Sequence, residues 1–247
     1  MNESSAKRGV GDITAEEVLQ SISAPKHKKS FIKDIPAHYC VPTVTKSFSG
    51  AYNRRILYDY IISPSRFEVE MFCETDEMVC IYDAYPKASL HLLILPKQKF
   101  YRCDSIHEIK TQDKEKIKSI HDLAENIVNS KCIQSKLDEI EAALSFRPRI
   151  KCGFHGIPSL DLLHLHIISD DLVSEKLKSK KHYNSFTTDC FITIENLMKW
   201  LDKGFNAKDK ISISDLEAQE KQDICCHKCR MKIKGMPSLK HHLTKCN

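Results

Sequence analysis

Phe154-His155-Gly156-Ile157-Pro158-Ser159-Leu160-Asp161-Leu162-Leu163-His164-Leu165-His166-Ile167-Ile168 sets two histidines in strict alternation with aliphatic residues. On a β-strand, residues i and i+2 share a face. A strand over residues 162–168 would therefore project the imidazoles of His164 and His166 together and turn Leu163, Leu165 and Ile167 into a core. His155 and Ser159 precede it in a segment interrupted by Gly156 and Pro158, which predicts a loop folded back over the same face. Imidazole titrates near neutrality, so one neutral ring can attack phosphorus while its neighbour holds a phosphoryl oxygen. On the residues alone, the pair also suits a metal ion or two satisfied sheet histidines.

Periodicity extends outward from this stretch. Tyr52, Ile56 and Tyr60, with Leu57 and Ile61 beside them, predict a helix over residues 51–62 that ends at Ser63-Pro64-Ser65. Phe67, Val69 and Met71 alternate with Glu68 and Glu70 as in a strand. Residues 78–82 and 90–95 are apolar and β-prone, with a turn at Tyr85-Pro86-Lys87 between them. Residues 113–144 repeat at helical spacing, with a break near Cys132-Ile133. A further strand is predicted over 150–154, and residues 176–186, basic and polar, predict a surface loop. Helix, three strands, helix, two strands is the order of an α+β domain with an antiparallel sheet and flanking helices.

Hydrophobic residues make up 41% of the chain and charged residues 29%, a globular rather than a disordered composition. No apolar run approaches the roughly 20 residues that cross a bilayer, and residues 1–11 lack the apolar stretch of a secretory signal, so neither membrane nor export is expected. Of the 11 cysteines, seven are scattered and four crowd the last 23 residues. That distribution points to a reducing compartment and one metal cluster, not a disulfide framework. Net charge is +5, yet residues 221–247 hold seven Lys/Arg against one acid and so carry +6 themselves. A basic end on a near-neutral body suits a polyanion such as nucleic acid, or simply a soluble lysine-rich module.

The basic end has a second signature, Cys226-x2-Cys229-x12-His242-x3-Cys246. Two thiolates on a turn, with an imidazole and a thiolate on a helix, form a tetrahedral zinc site. Ile233 and Leu239 fall where the small core of a zinc finger requires apolar residues. Three units are expected: a tail over 1–49, a catalytic domain over 50–220 and a C2HC zinc finger over 221–247 whose folding needs structural zinc. Within the tail, Pro25-Lys26-His27-Lys28-Lys29 reads as a nuclear-import run or a solvated linker.

Taken together, residues 162–168 resemble the histidine-triad motif. With His155-Gly-Ile-Pro-Ser159, Tyr82-Asp83-Ala84-Tyr85-Pro86-Lys87, Leu90-His91-Leu92-Leu93-Ile94-Leu95-Pro96, the segment from Leu177 to Phe186 and the C-terminal finger, they resemble the aprataxin family. The resemblance implies a DNA 5′-adenylate hydrolase that repairs single-strand breaks in the nucleus, with the cytoplasm as a second location. It implies His164 as nucleophile, His166 on the phosphoryl oxygens, His155 at the leaving phosphate and Ser159 as a phosphate contact. Asp83 would hold the ribose hydroxyls and Lys87 the nucleotide pocket; His91, nearby, reads as a satisfied core histidine. Tyr52 would stack on the DNA end, and Lys180, Lys181 and His182 would lie along the DNA. Partners would be 5′-adenylated nicks or RNA–DNA junctions, with AMP as product and no catalytic metal. Two departures stand out. Leu162 replaces the first triad histidine, leaving a backbone carbonyl to orient His164. The residues before the first helix are too few for the forkhead-associated domain of vertebrate members, so the layout is expected to be the short fungal one. Two other functions fit the same residues: a hydrolase of small nucleotide phosphoramidates or dinucleoside polyphosphates, and a DNA-end binding module without catalysis.

Overall fold

The computed structural model describes residues 53–68 and 70–246. Tyr52, Val69 and the stretch at 25–29 lie outside the described residues. Six strands form one antiparallel sheet: β1 Met71–Glu74, β2 Met78–Tyr82, β3 His91–Pro96, β4 Ile150–His155, β5 Leu165–Ser169 and β6 Phe191–Thr193. Their order across the sheet is β1-β2-β3-β5-β4-β6. The expected antiparallel sheet with flanking helices is present.

Helices α2 (Lys114–Asn129) and α3 (Lys131–Leu144) cover one face of the sheet together with α5 (Ile194–Asp202). They are helical for the reason the spacing gave: Ile117, Ile120, Ala124 and Ile127 form one apolar stripe on α2. The break falls at Ser130, whose hydroxyl accepts from the Ile133 N–H and caps α3. Leu92, Ile94, Leu165 and Ile167 turn toward these helices and share one buried cluster with them. The alternate residues of the same strands turn the other way. There α1 (Ile56–Ile62) packs Leu57, Tyr58 and Tyr60 on Val79, Ile81, Leu93 and Leu95.

Several expectations are corrected. Pro64–Phe67 is a turn of 3-10 helix, which proline at its first position favours, so the first strand begins at Met71. The triad strand begins at Leu165, because Leu162 adopts a left-handed φ of 74° that no strand tolerates. The basic segment is not a loop: Lys180–Thr187 is a helix, α4, capped by the Ser179 hydroxyl, and it buries Tyr183, Asn184 and Phe186. The three-residue strand β6 and helices α5 and α6 (Ile213–Lys221) had no separate signal.

Beyond α6 the chain forms a small unit with one bridge, Cys225 to Lys232, and helix α7, Met236–Leu243. Its Ile224, Leu239 and Leu243 are buried in the same cluster as Ile168, Tyr183, Phe186 and Phe191 of the sheet and α4. The finger-like unit thus shares its core with the main domain. Among the described residues no helix is long and apolar enough to cross a membrane.

Candidate functional site

The sheet register assembles the histidines. On β3 and β5, Leu93 faces His166 and His91 faces Ile168. On β4, Gly153 faces His166, and His155, the last residue of the strand, faces Phe191. His155 therefore reaches the site by strand pairing, not from a loop. Gly153 is required at its position: a Cβ there would stand 2.6 Å from the Ile192 carbonyl oxygen and 2.7 Å from the Phe191 ring. Ring centroids of His164 and His166 are 4.9 Å apart, those of His155 and His166 4.5 Å, and those of His91 and His166 5.2 Å. Four imidazoles thus converge, walled by the edges of Phe186 and Phe191.

Hydrogen bonds fix which nitrogen of each ring is free. His164 Nδ1 is 2.8 Å from the Leu162 carbonyl oxygen. A carbonyl only accepts, so Nδ1 carries the proton and Nε2 keeps its lone pair. Leu162, which stands at the first triad position, thus orients the His164 ring through its backbone. His166 has the opposite tautomer. The Lys87 N–H donates to His91 Nδ1 at 3.2 Å, so the His91 proton sits on Nε2 and is donated to His166 Nδ1 at 2.9 Å. His166 must then hold its own proton on Nε2. That nitrogen is buried and has no hydrogen-bond partner among the described residues, as is His155 Nδ1. A donor left bare costs free energy until an acceptor arrives. A phosphoryl oxygen would supply one.

Burial pushes these imidazoles below their ordinary range: His91 to about 4, His155 to about 3, and His164 and His166 in the same direction. They stay neutral at physiological pH, which a nucleophilic ring needs. The unfolded chain takes up protons near 6.5 while the folded site resists them. The associated stability is therefore complete above about pH 6.5 and is lost as pH falls toward 4, with a slope of up to about 1.4 kcal/mol per pH unit for each ring. Urea midpoints should be level from pH 8 to 7 and fall from 6.5 to 5. Level midpoints across that lower range would mean that the rings are solvated.

Leu162 offers a sharper check. Its side chain is fully buried beside Val79 and Leu93. Leu162→Ala should cost about 2–5 kcal/mol of stability, yet leave the rate within a few fold, because the orienting group is the carbonyl. Thermal melts beside single-turnover rates read both quantities. A folded variant that has lost its rate would show that the side chain matters instead.

Asp83 and Lys87 stand at the edge of this pocket. Burial alone would raise the Asp83 carboxyl, but His91, Lys87 and the Tyr85 N–H outweigh it and hold it below the usual range. Its Oδ2 lies 3.5 Å from His91 Nδ1. Lys87 Nζ bonds the Tyr85 carbonyl, and burial lowers its pKa against the pull of Asp83. Ser159 is exposed in the loop between β4 and β5. That loop is tied to α1, where the Asp161 N–H donates to the Arg54 carbonyl at 2.8 Å and Arg54 Nε reaches Asp161 at 2.9 Å. Lys180, Lys181 and His182 form the exposed first turn of α4. Lys181 pairs with Glu220 at 3.2 Å, and Lys180 lies 4.0 Å from Asp223. Burial and the Lys87 charge hold His182 below its ordinary pKa.

At the C-terminus, Cys226, Cys229, His242 and Cys246 bring four donor atoms within 4.8 Å of one another. Cys229 Sγ is 3.2 Å from His242 Nε2, and Cys226 Sγ is 3.9 Å from Cys246 Sγ. Three sulfurs and one imidazole nitrogen so placed fit zinc, and the cluster could hold it. Cys225 turns away and donates to the Arg230 carbonyl. Asp83, His91 and His166 also offer donors within 4.8 Å, but there the two imidazole nitrogens face each other in a hydrogen bond.

His91, expected as a satisfied core histidine near the site, is buried with both ring nitrogens bonded, and its contact with His166 was not foreseen; nor were Phe186 and Phe191 as walls. Alternation on residues 90–95 put His91 on a strand, but only the pairing of β3 with β5 sets it against His166.

The chain is similar to known proteins over this region. The profile of a family described as "Scavenger mRNA decapping enzyme C-term binding" matches residues 55–182. Aprataxin of Gallus gallus is 37% identical over 172 residues, covering 69% of this chain and 48% of that protein. An aprataxin-like protein of Schizosaccharomyces pombe is 32% identical over 182 residues, 68% of this chain and 69% of that one. A crystal structure of aprataxin ortholog Hnt3 in complex with DNA aligns with a TM-score of 0.59 at 28% identity, covering 78% of this chain and 93% of the other. The chain spans about half the length of the longer relatives it matches.

Proposed function

Because the chain belongs to the aprataxin-like branch of the histidine-triad family, we propose that it hydrolyses AMP from 5′-adenylated DNA ends left by abortive ligation. The observation that carries this reading is the pair of opposite tautomers: a free lone pair on His164 Nε2 beside a bare N–H on His166 Nε2. One is a nucleophile and the other an oxyanion donor, within one pocket.

The reaction divides into two displacements. His164 Nε2 attacks the α-phosphorus of the AMP group. A P–N bond forms as the P–O bond to the DNA 5′-phosphate breaks. His166 Nε2–H bonds a non-bridging oxygen, where charge is held through the transition state. His155 stands at the leaving phosphate, and Ser159 contacts the phosphate from its loop. Asp83 accepts from the ribose hydroxyls, and Lys87 braces the nucleotide. Water then attacks the phosphorus, the P–N bond breaks, and AMP leaves. DNA runs along Lys180, Lys181 and His182, with Tyr52 stacked on the end. The finger, over residues 221–247, adds phosphate contacts through its +6 charge. Cys226, Cys229, His242 and Cys246 would hold zinc, which supplies a structural cross-link. Action on nuclear DNA follows, including RNA–DNA junctions that carry the same 5′-AMP.

Turnover of adenylated nicked DNA beside adenosine phosphoramidate tests the reading. The expected result is a kcat/KM for adenylated DNA at least about a hundredfold above that for the small substrate, since remote phosphate binding adds to the same chemistry. Equal values would make the chain a small-nucleotide hydrolase. Binding of DNA without turnover of either would leave only an end-binding role.

A further inference from the structure

Helix α4 stands between the two halves of the molecule. Tyr183 and Phe186, three residues apart on one helical face, are both buried. Phe186 looks toward the site. Its ring lies edge-on to His155 at 4.5 Å, His166 at 5.4 Å and His91 at 5.5 Å. Tyr183 looks toward the Cys/His cluster. Its hydroxyl accepts from the His227 N–H at 2.9 Å and lies 3.0 Å from His227 Nδ1 and 3.1 Å from the Cys225 carbonyl oxygen.

His227 lies between the cluster cysteines Cys226 and Cys229. Its Nε2 is 2.9 Å from the Asp170 carbonyl, an acceptor only, so the proton sits there and Nδ1 is left to accept from Tyr183. Asp170 follows directly on β5, the strand of His166. Its carboxylate is held by the Arg149 N–H and guanidinium. The turn that carries Cys226 and Cys229 is thus pinned to the end of β5, the strand of His166, and to α4, whose Phe186 abuts His155 and His166. Asn184, next on α4, adds a strut by donating to the carbonyls of Glu220 and Gln222, where the chain enters the finger.

We propose that Tyr183 is a positioning residue that makes the geometry of His155 and His166 depend on metal occupancy of the Cys226–Cys229–His242–Cys246 cluster. With the cluster filled, the turn is rigid, the His227 amide and ring hold the Tyr183 hydroxyl, and α4 presses Phe186 against the imidazoles. With the cluster empty, the turn loosens, the hydroxyl loses its partners, and the Phe186 wall shifts. Displacements well under 1 Å suffice, since misplacement of reacting groups is costly in rate. Only the kinetic arm of the test rests on the proposed reaction; the spectroscopic arm needs no substrate.

The test uses the full chain with 15N-labelled histidine, zinc-loaded and then zinc-extracted by a chelator. In the native protein, extraction should shift the imidazole signals of His155 and His166 and slow adenylyl transfer from adenosine phosphoramidate about tenfold. In Tyr183→Phe, which keeps the ring and removes the hydroxyl, the zinc-loaded protein should already show the slow rate and displaced signals, and extraction should move those signals much less than in the native protein. Should that variant fail to fold, Phe186→Leu cuts the other end of the path and is expected to uncouple the signals likewise. Two results overturn the proposal. One is imidazole signals that stay in place when zinc leaves the native protein. The other is a folded uncoupling variant in which they move as far as in the native protein. A shift in the signals without turnover of any AMP substrate would sustain the coupling and sink the reaction.

Discussion

His164→Ala should eliminate AMP release, lowering single-turnover rates by at least about a thousandfold, or about 4 kcal/mol in the barrier. The variant is expected to keep its fold and its affinity for adenylated DNA. The size of the effect follows from the site. Hydrogen bonding leaves the lone pair of His164 Nε2 free, whereas the His91 and His166 Nδ1 positions accept from protein donors. His155 Nδ1 is also bare, but burial and its aromatic neighbours enclose that ring between Phe186 and Phe191. In the proposed reaction it meets the leaving group, and it is not expected to inherit the attack. His166→Ala should slow the reaction less, because it removes a donor and not the nucleophile; one oxyanion donor is worth about a hundred- to a thousandfold. Rates measured with enzyme in excess, beside filter-binding affinities, separate chemistry from binding. A His164→Ala protein that still turns over would assign the attack elsewhere.

Zinc extraction is the largest change expected in stability. Structural zinc contributes about 10–16 kcal/mol to units of this kind, far more than the burial of Ile224, Leu239 and Leu243 can replace. Those three side chains share a cluster with Leu177, Tyr183 and Phe186, so the loss does not stay local. We expect amide protection over residues 224–246 to vanish and the melting temperature of the whole chain to drop by 10 °C or more, about what several kcal/mol shifts in a domain of this size. Cys226→Ser, which removes a ligand buried at the shared interface, should reproduce it. Hydrogen exchange followed by mass spectrometry resolves the two regions. A melting temperature unchanged by chelation would mean that the cluster holds no structural metal.

Much of this was legible before any coordinates, and the physical reasons differ element by element. The strands at 78–82 and 90–95 and the paired helices of 113–144 announce themselves by local periodicity, and the clustering of Cys226, Cys229, His242 and Cys246 by spacing alone. The role of Leu162 was half legible. Its identity showed that a side chain was missing from the triad, and a carbonyl was the natural substitute, but the left-handed φ that ends the strand early belongs to the packed structure. Residues 176–186, which contain most of α4, read as a loop because Lys176, Lys178, Lys180 and Lys181 dominate that segment. The better signal was Ser179 as a cap, followed by Tyr183 and Phe186 at helical spacing. His91 could be placed on its strand and near the site from sequence, but not against its partner ring. Its partner lies 75 residues away, and only the β3–β5 register brings the two rings to 2.9 Å.

The central claim is that AMP passes through a covalent bond to His164 Nε2. Rapid mixing of the native protein with adenylated DNA, an alkaline quench that spares phosphoramidates, and peptide mass spectrometry test it directly. The predicted result is one AMP on the peptide that contains His164, appearing before free AMP and absent from His164→Ala. Free AMP released at full rate with no protein-bound nucleotide at any time, or AMP carried on His155 or His166 instead, would contradict it.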